Sequence, residues 1–195
     1  MTTRADRRGI PEEGVVVRAA GPTDHAAIRT LLDRAYAPYV ADIDPDVWRA
    51  YRADLLDLAR HERHGRLRVA VVDGEIAGYA AFYPDATAQN LGWPAGWASG
   101  RALAVDPRHR GRGVAGALLD ELEQLTRESG APVFAFHTSR FMTTARALYA
   151  RRGYRRVPQF DRDMNAHYGR PGGVPPWPAL AYLKPIPICP AADAA

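Results

Sequence analysis

The sequence predicts a single α/β domain organised around a mixed sheet. Segments with strand-like alternation and segments with helical apolar spacing follow one another, and a glycine-rich turn joins a strand to an amphipathic helix. The 195 residues, 47% of them hydrophobic, suffice for one substantial core and a ligand cleft. We expect the domain to span residues 15–186, between a disordered tail at 1–14 and a flexible tail at 187–195.

Two helices are predicted in the first third of the chain, after a strand at 15–17. The first helix carries apolar residues at helical spacing from 27 to 36. Asp44 followed by Pro45 is typical of a helix start, and apolar residues then recur at helical spacing until Gly65. The pattern indicates one continuous second helix.

A β-hairpin and an irregular loop come next. The extended segments 67–71 and 76–83 flank Asp73-Gly74, a dipeptide that favours a tight hairpin turn. The segment 84–97 contains two glycines, two prolines and two tryptophans without a regular period. Because it is long for a connector, we interpret it as a candidate substrate loop.

The second half predicts a strand–helix–strand unit and a closing hairpin. A strand at 98–105 precedes the glycine-rich turn and its helix, and the next strand begins at Val133. Crossovers of this kind join parallel strands, so we expect these two strands to be parallel. A further helix at 143–152 and strands at 154–157 and 179–183 complete six or seven strands and about four helices.

The glycine-rich turn predicts a phosphate-binding site. It comprises Arg110, Gly111, Arg112, Gly113, Val114, Ala115 and Gly116. Small residues at a helix start let a ligand approach free backbone N–H groups at the positive end of the helix dipole. Arg108, Arg110 and Arg112 can add charge at the rim.

Two other phosphate-binding patterns fit this turn poorly. Gly111, Gly113 and Gly116 match a dinucleotide fingerprint, but five residues separate them from the strand and no acidic residue ends the next strand. A Walker loop needs a lysine at the turn, whereas Lys184 is the sole lysine of the chain.

Composition argues against several classes of protein. The net charge is +4, but acidic residues are interspersed with the basic ones along the chain. This pattern favours a mixed solvated surface over a nucleic-acid-binding face. No apolar run reaches the roughly 18 to 20 residues of a membrane span, and no secretory signal pattern follows the first residues. The single cysteine, Cys189, excludes an intrachain disulfide and fits a cytoplasmic location. No metal site is expected.

The segment Arg110-x-x-Gly113-x-Ala115 resembles the cofactor motif of the GNAT family of N-acetyltransferases, Gln/Arg-x-x-Gly-x-Gly/Ala. The resemblance extends to further segments in the order typical of the family: Leu103-Ala-Val-Asp-Pro107, Ala145-Arg-Ala-Leu-Tyr149 and Gly153-Tyr154. It covers roughly residues 15–185 and implies a GNAT-like mixed central sheet.

The resemblance also implies how a cofactor is held. The strand ending at Val105 would splay from the one beginning near Val133 and open a slot for the pantetheine arm of acetyl-CoA or another acyl-CoA. The backbone of Leu103, Ala104 and Val105 would hold this arm, and residues 110–116 would hold the pyrophosphate. Met142 stands where the family often has asparagine, which puts one polar contact to pantetheine in doubt.

The activity implied is transfer of an acetyl group to a primary amine of a small molecule or peptide, by direct attack in a ternary complex. Tyr149 matches the family's tyrosine that donates a proton to the departing thiolate, a suitable task for a phenol. Ser99 and Arg101 would face the acceptor. His137 is a candidate base, and deprotonation through water is the alternative.

Aromatic residues provide candidates for acceptor binding. Trp93 and Trp97 lie in the glycine-proline loop and are predicted to contact the ligand. Tyr36 and Trp48 fit helical core spacing, so we interpret them as packing residues. Arg101 could pair with a carboxylate on the acceptor.

Other functions remain open from sequence alone. A non-catalytic acyl-CoA-binding sensor would keep the phosphate turn without the acid–base chemistry, and a basic nucleic-acid-binding module would use the arginine cluster. Relatives in the family are often homodimers, but no segment identifies an interface.

Overall fold

The computed structural model describes residues 14–187 and consists of an eight-stranded mixed sheet with helices on both faces. The strands are β1 (Val16–Ala19), β2 (Arg66–Val72), β3 (Glu75–Tyr83), β4 (Ala98–Val105), β5 (Val133–Ser139), β6 (Arg155–Arg156), β7 (Arg162–Asp163) and β8 (Pro178–Pro185). The helices are α1 (His25–Tyr36), α2 (Pro45–Leu56), α3 (Leu58–His64), α4 (Val114–Glu128), α5 (Thr143–Arg151) and α6 (Met164–His167). Cys189 and nearly all of both predicted tails lie outside the described residues.

The sheet has the order β1-β2-β3-β4-β5-β8-β6, with β7 also paired to β8. Only β4 and β5 run parallel among these pairs, and α4 connects them. The parallel pair predicted from the sequence is therefore confirmed. So is the hairpin between β2 and β3, where Asp73 and Gly74 both have a left-handed backbone, at φ 52° and 78°.

The two faces of the sheet carry separate apolar cores. Side chains alternate along β3, so that Tyr79 and Ala81 pack with α1 and α2, whereas Ala80 and Phe82 pack with α4. On the α4 face, a glycine in β3 is required because a Cβ at Gly78 would lie 2.5 Å from a methyl carbon of Val114. The sheet thus separates two layers of helices, and any opening in it connects them.

The predicted second helix is two helices, which corrects the single element expected from 44 to 65. Asp57 leaves the helical conformation at φ −80° and ψ 70°, and its carboxylate accepts a hydrogen bond from the Arg60 N–H. It therefore ends α2 and caps α3. Leu55 and Leu58 are both buried on either side of the break, so the apolar period continues through it.

The connection before the last strand is more regular than expected. Asp163 ends the short strand β7, and its side chain accepts hydrogen bonds from the N–H groups of Asn165 and Ala166 to cap α6. These two elements, together with the division of the second helix, account for the eight strands and six helices of the described residues. No helix in the part of the chain described is long and apolar enough to cross a membrane.

A buried histidine on α3 makes the fold sensitive to acid. His61 is 2% exposed; its Nε2 donates to the carbonyl of Asp54 at 2.9 Å and its Nδ1 accepts from the Tyr83 hydroxyl at 2.5 Å. Both bonds use the neutral ring, and burial lowers the pKa of His61 to about 4. An unfolded histidine titrates near 6.5, so the unfolded chain binds more protons between these values and stability falls as the pH drops.

We expect His61→Gln to reduce the loss of stability between pH 7.5 and pH 4.5 by about 2 to 3 kcal/mol. The free energy of unfolding, measured by urea titration at both pH values, checks this. His64→Gln is the matched control, because His64 is exposed on the same helix. An equal acid-induced loss in the two variants would contradict the prediction.

Candidate active site

The parallel strands β4 and β5 part after a short contact. They pair only at Ala98 with Phe134 and at Ser99 with Ala135. Beyond this point β4 stays paired with β3 as far as Val105, and β5 stays paired with β8 as far as Ser139. Within residues 14–187, the facing backbone of the rest of β4 has no strand partner, which confirms the splayed pair.

A bulge and a glycine shape the point of divergence. Tyr79 opposes Ala104 and Ala81 opposes Arg101, so β4 has one extra residue there, and Ala102 takes a left-handed φ of 55°. A bulge of this kind bends its strand and increases the local twist. Next to it, a Cβ at Gly100 would lie 2.7 Å from the Phe134 ring. Glycine therefore lets Phe134 pack where the strands separate.

On the α4 face, the gap between the strands is a slot of about 280 Å³ including its open mouth, and most of its lining side chains are apolar. It is lined by Gly100, Arg101, Ala102, Leu103, Leu119, Leu122, Phe134, Phe136, His137 and Tyr149. Leu103 is one of the three residues whose backbone was predicted to hold pantetheine. An extended amide-containing chain fits such a slot, because the free edge of β4 offers hydrogen bonds along its length.

The glycine-rich turn has the geometry that phosphate binding requires. Gly111 and Gly113 both have φ of 81°, and apart from their chain neighbours no atom of the described residues lies within 4 Å of a Cβ built on either one. Gly113 is the N-cap of α4, no side chain caps this helix, and its first backbone bond runs from Ala117 N to Gly113 O. The N–H groups of the first turn are therefore available to an anion, and the residues present fit a pyrophosphate.

The arginines around this turn differ in whether acidic side chains bind them. Arg108 binds the buried carboxylate of Asp106 and approaches Glu75, whereas Arg112 binds Asp73 at 2.7 Å. The Arg108 hydrogen bond holds the pKa of Asp106 well below its usual range. Arg110 is exposed at the turn itself. The cluster is thus partly neutralised by acidic side chains, while Arg110 stays exposed beside the glycines.

A second cavity lies on the other face of the sheet, against α1 and α2, and encloses about 500 Å³ including its open mouth. We call it the acceptor cleft, after the role that we propose for it below. Its lining comprises Tyr36, Tyr51, Gln89, Leu91, Gly100, Arg101, Ala102, His137, Thr138, Ser139, Met142, Met164, Trp177 and Ala179. The slot and the acceptor cleft share Gly100, Arg101, Ala102 and His137, so they meet through the gap in the sheet.

Tyr149 lies on the slot side of this junction. Its side chain is 5% exposed and packs on Phe136, with ring centroids 4.3 Å apart. Burial raises the pKa of Tyr149 above that of a free phenol, so the hydroxyl stays protonated at neutral pH.

His137 lies at the junction itself. Its Nε2 donates to the carbonyl of Phe160 at 2.8 Å, while its buried Nδ1 has no hydrogen-bond partner among the described residues. Burial lowers the pKa of His137 to about 4, so the ring is neutral at pH 7. Nδ1 then carries a lone pair that can accept a hydrogen bond.

The two predicted acceptor-site residues of β4 have different positions. Arg101 lines both cavities, and its Nη2 donates to the Asp54 carboxylate and, at 3.0 Å, to the Tyr168 hydroxyl. Ser99 is fully buried in the paired part of the strand and accepts a hydrogen bond from Gln89 Nε2 at 2.5 Å. Ser99 therefore positions a residue of the acceptor cleft.

The tryptophans of the loop lie behind His137. Trp93 is 4% exposed and its ring is 4.3 Å from the His137 ring, while Trp97 is half-buried against Phe160. Neither belongs to the lining of the acceptor cleft. Met142 does line it, as does Tyr36, which sequence spacing had indicated as a packing residue only.

Sequence reasoning missed most of the acceptor cleft. Tyr51, Gln89 and Trp177 line it without belonging to any local motif, and Asp54 reaches Arg101 from α2. The one available signal was that Tyr51 continues the aromatic-rich apolar face of α2. The others depend on tertiary contacts.

The family model for the acetyltransferase (GNAT) family matches residues 26–154. A search of curated proteins found no match. Among solved structures, an N-acetyltransferase PaiA from Thermoplasma acidophilum in complex with coenzyme A aligns over 88% of this chain and 99% of its own, at 12% identity and TM-score 0.65.

Two GNAT acetyltransferase structures align similarly. The one from Staphylococcus aureus covers 89% of this chain and 100% of its own at 14% identity and TM-score 0.65. The one from Brucella melitensis, in complex with acetyl-CoA, covers 74% and 84% at 24% identity and TM-score 0.54. These likenesses show the fold, and the family match spans well over half of the sequence. The chain therefore belongs to the acetyltransferase (GNAT) family.

Proposed function

We propose that this protein is an N-acetyltransferase that moves the acetyl group of acetyl-CoA to a primary amine by direct attack in a ternary complex. One observation carries the proposal: the slot and the acceptor cleft open on opposite faces of the sheet and meet where β4 and β5 part. Two substrates entering from opposite faces can then react without a covalent enzyme intermediate.

The phosphate turn and the slot support acetyl-CoA as the first substrate. The turn at the start of α4 would bind the pyrophosphate, and the free edge of β4 would bind the pantetheine arm. The relatives from Brucella melitensis and Thermoplasma acidophilum contain acetyl-CoA and coenzyme A. Acetyl-CoA supplies a thioester carbonyl, which an N–H on the free edge of β4 can polarise in a dry cleft.

The reaction needs proton transfers at two places, to the departing thiolate in the slot and from the amine in the acceptor cleft. The protonated phenol of Tyr149 would donate to the departing thiolate on the slot side, and the proton that the attacking nitrogen loses as the amide forms would pass to water, which returns one to the phenolate. On the other side the amine must lose a proton before it attacks. With its pKa lowered to about 4, His137 is a weak base, so we assign this step to water and give His137 Nδ1 the role of accepting a hydrogen bond from the neutral amine.

This assignment predicts the pH dependence of the reaction. We expect kcat/KM to rise with pH up to the pKa of the acceptor amine, because only its neutral form attacks. Across acceptors of different basicity the apparent pKa should move with the acceptor. A break well below the pKa of the amine that stays fixed across acceptors and disappears in His137→Gln would make His137 the base instead.

Thiol release from acetyl-CoA in the presence of a panel of amines tests the proposal directly. We expect amine-dependent release of coenzyme A together with one N-acetylated product identified by mass spectrometry. Tight binding of acetyl-CoA without turnover of any amine would instead support an acyl-CoA sensor. Absence of acetyl-CoA binding would overturn the proposal.

A further inference from the structure

The acceptor cleft has an unusual charge for a site that receives amines. None of its lining residues is Asp or Glu, and Arg101 is the only one with a formal charge at neutral pH. His137 is neutral there, and burial raises the pKa values of Tyr36 and Tyr51. A cationic amine would find no carboxylate on this wall, whereas an anionic group would find a guanidinium.

The Arg101 guanidinium is only partly satisfied within the protein. Its side chain is 11% exposed, and Nη2 makes both of its hydrogen bonds, to Asp54 and to Tyr168. The buried Nε has no partner among the described residues, and the contacts of the described chain include none at Nη1. A desolvated guanidinium with free donors favours an additional acceptor, best of all a carboxylate.

The carboxylate that faces Arg101 is shared with a second arginine. Asp54 is 10% exposed; one oxygen binds Arg60, and the other binds Arg101 and accepts from the Tyr168 hydroxyl at 2.8 Å. Burial alone would raise the pKa of Asp54, but Arg101, Tyr168 and Arg60 outweigh it and hold the pKa below its ordinary value. Asp54 is thus ionised at neutral pH.

The group formed by Arg101, Asp54 and Arg60 therefore carries a net positive charge beside the acceptor cleft. Two guanidinium groups face one carboxylate, and the neighbouring His61 is neutral because burial lowers its pKa to about 4. A buried charge that is not fully compensated destabilises the protein. An anion that binds here therefore gains more binding free energy than it would at an exposed arginine.

We propose that the acceptor is a monoamine that carries a carboxylate, as an amino acid does, and that Arg101 binds this carboxylate. The aromatic side chains of Tyr36, Tyr51 and Trp177 line the same cleft and suit an apolar portion of the acceptor. Polyamines and other polycationic amines are disfavoured, because they would place further positive charge beside Arg101. The inference rests on the proposed function and narrows its substrate class.

Matched pairs of acceptors test this directly. Acetylation rates are measured for the common α-amino acids, for β- and γ-amino acids, and for the amides of all of them. Spermidine serves as the polycationic acceptor. Each rate is divided by the concentration of the neutral form of the amine, so that differences in amine pKa do not affect the comparison. We expect kcat/KM for the preferred acid to exceed that for its amide by about 10- to 100-fold, the effect of one or two charge-assisted hydrogen bonds.

Substitutions test whether Arg101 causes this preference for acids over amides. Arg101→Gln combined with Asp54→Asn removes both charges of the buried pair and should bring the acid-to-amide ratio close to one. Arg60→Gln leaves the cleft wall intact, removes one positive charge and should lower the ratio by a smaller factor. Arg52→Gln is the matched control, because Arg52 pairs with Asp33 on the exposed side of α2 and should retain the wild-type ratio.

The outcomes separate the two proposals. If a protein that binds acetyl-CoA prefers amides or spermidine, or acetylates none of the acids, the inference is overturned and the proposed function stands. If the double variant keeps the wild-type ratio, Arg101 is not the determinant. If acetyl-CoA neither binds nor is consumed, the proposed function fails and the inference fails with it.

Discussion

Replacing Gly113 by glutamate is expected to weaken acetyl-CoA binding roughly 100-fold or more. A glutamate side chain would enter the open space in front of the first turn of α4 and place its own carboxylate on the N–H groups that the pyrophosphate needs. Losing two charge-assisted hydrogen bonds alone accounts for a change of this size. The dissociation constant, measured by calorimetry, gives the result.

Gly130→Glu is the matched control for this substitution. Gly130 follows the other end of α4, has a left-handed φ of 72°, and also has no atom within 4 Å of a built Cβ. Both variants therefore incur the same kind of backbone strain, about 1 to 2 kcal/mol. Thermal unfolding should show similar losses of stability, whereas only Gly113→Glu should lose binding. Equal affinities for acetyl-CoA would remove the turn from the cofactor site.

The glycine-rich turn before α4 and the order of elements could be predicted because their signals are local. Asp73-Gly74 specifies a hairpin turn through two left-handed residues, and the spacing of Gly111 and Gly113 before an amphipathic helix specifies a left-handed turn at the start of α4, where we propose that the pyrophosphate binds. In each case the backbone conformation required is one that few residue types adopt easily. Local chemistry and local structure therefore agree.

The break between α2 and α3 shows where a local pattern misleads. Leu55 and Leu58 keep the apolar spacing of one helix, but Asp57 is an effective helix cap and begins a new one. The bulge in β4 is another case, since Ala102 adopts a left-handed φ that its residue type does not favour. The break thus follows from a local capping preference that the apolar spacing conceals, whereas the bulge runs against the propensity of alanine.

The acceptor cleft could not be predicted, because its contacts are distant in sequence. Arg101 meets Asp54 across 47 positions, and Tyr168 meets Asp54 across 114. No periodicity records such pairs. The resemblance to the family implied that β4 side chains face the acceptor, but only the fold shows that Arg101 lines this cavity while Ser99 is buried.

Removing the hydroxyl of Tyr149 should slow acetyl transfer about 100- to 10,000-fold with little effect on acetyl-CoA affinity, since proton donation by a positioned acid contributes that much. Burial keeps the pKa of this phenol above its ordinary value, so it is protonated whenever the thiolate departs. The single-turnover rate constant of Tyr149→Phe measures the chemical step even if product release limits the wild type.

Tyr182→Phe is the control, because its ring packs 6.0 Å from that of Tyr149 but does not line the slot, so it should react at nearly the wild-type rate. Since each variant keeps its aromatic ring, a selective loss in Tyr149→Phe reports the missing proton donor rather than altered packing. Equal rate constants for the two variants would leave Tyr149 with a packing role and transfer the protonation of the leaving group to water.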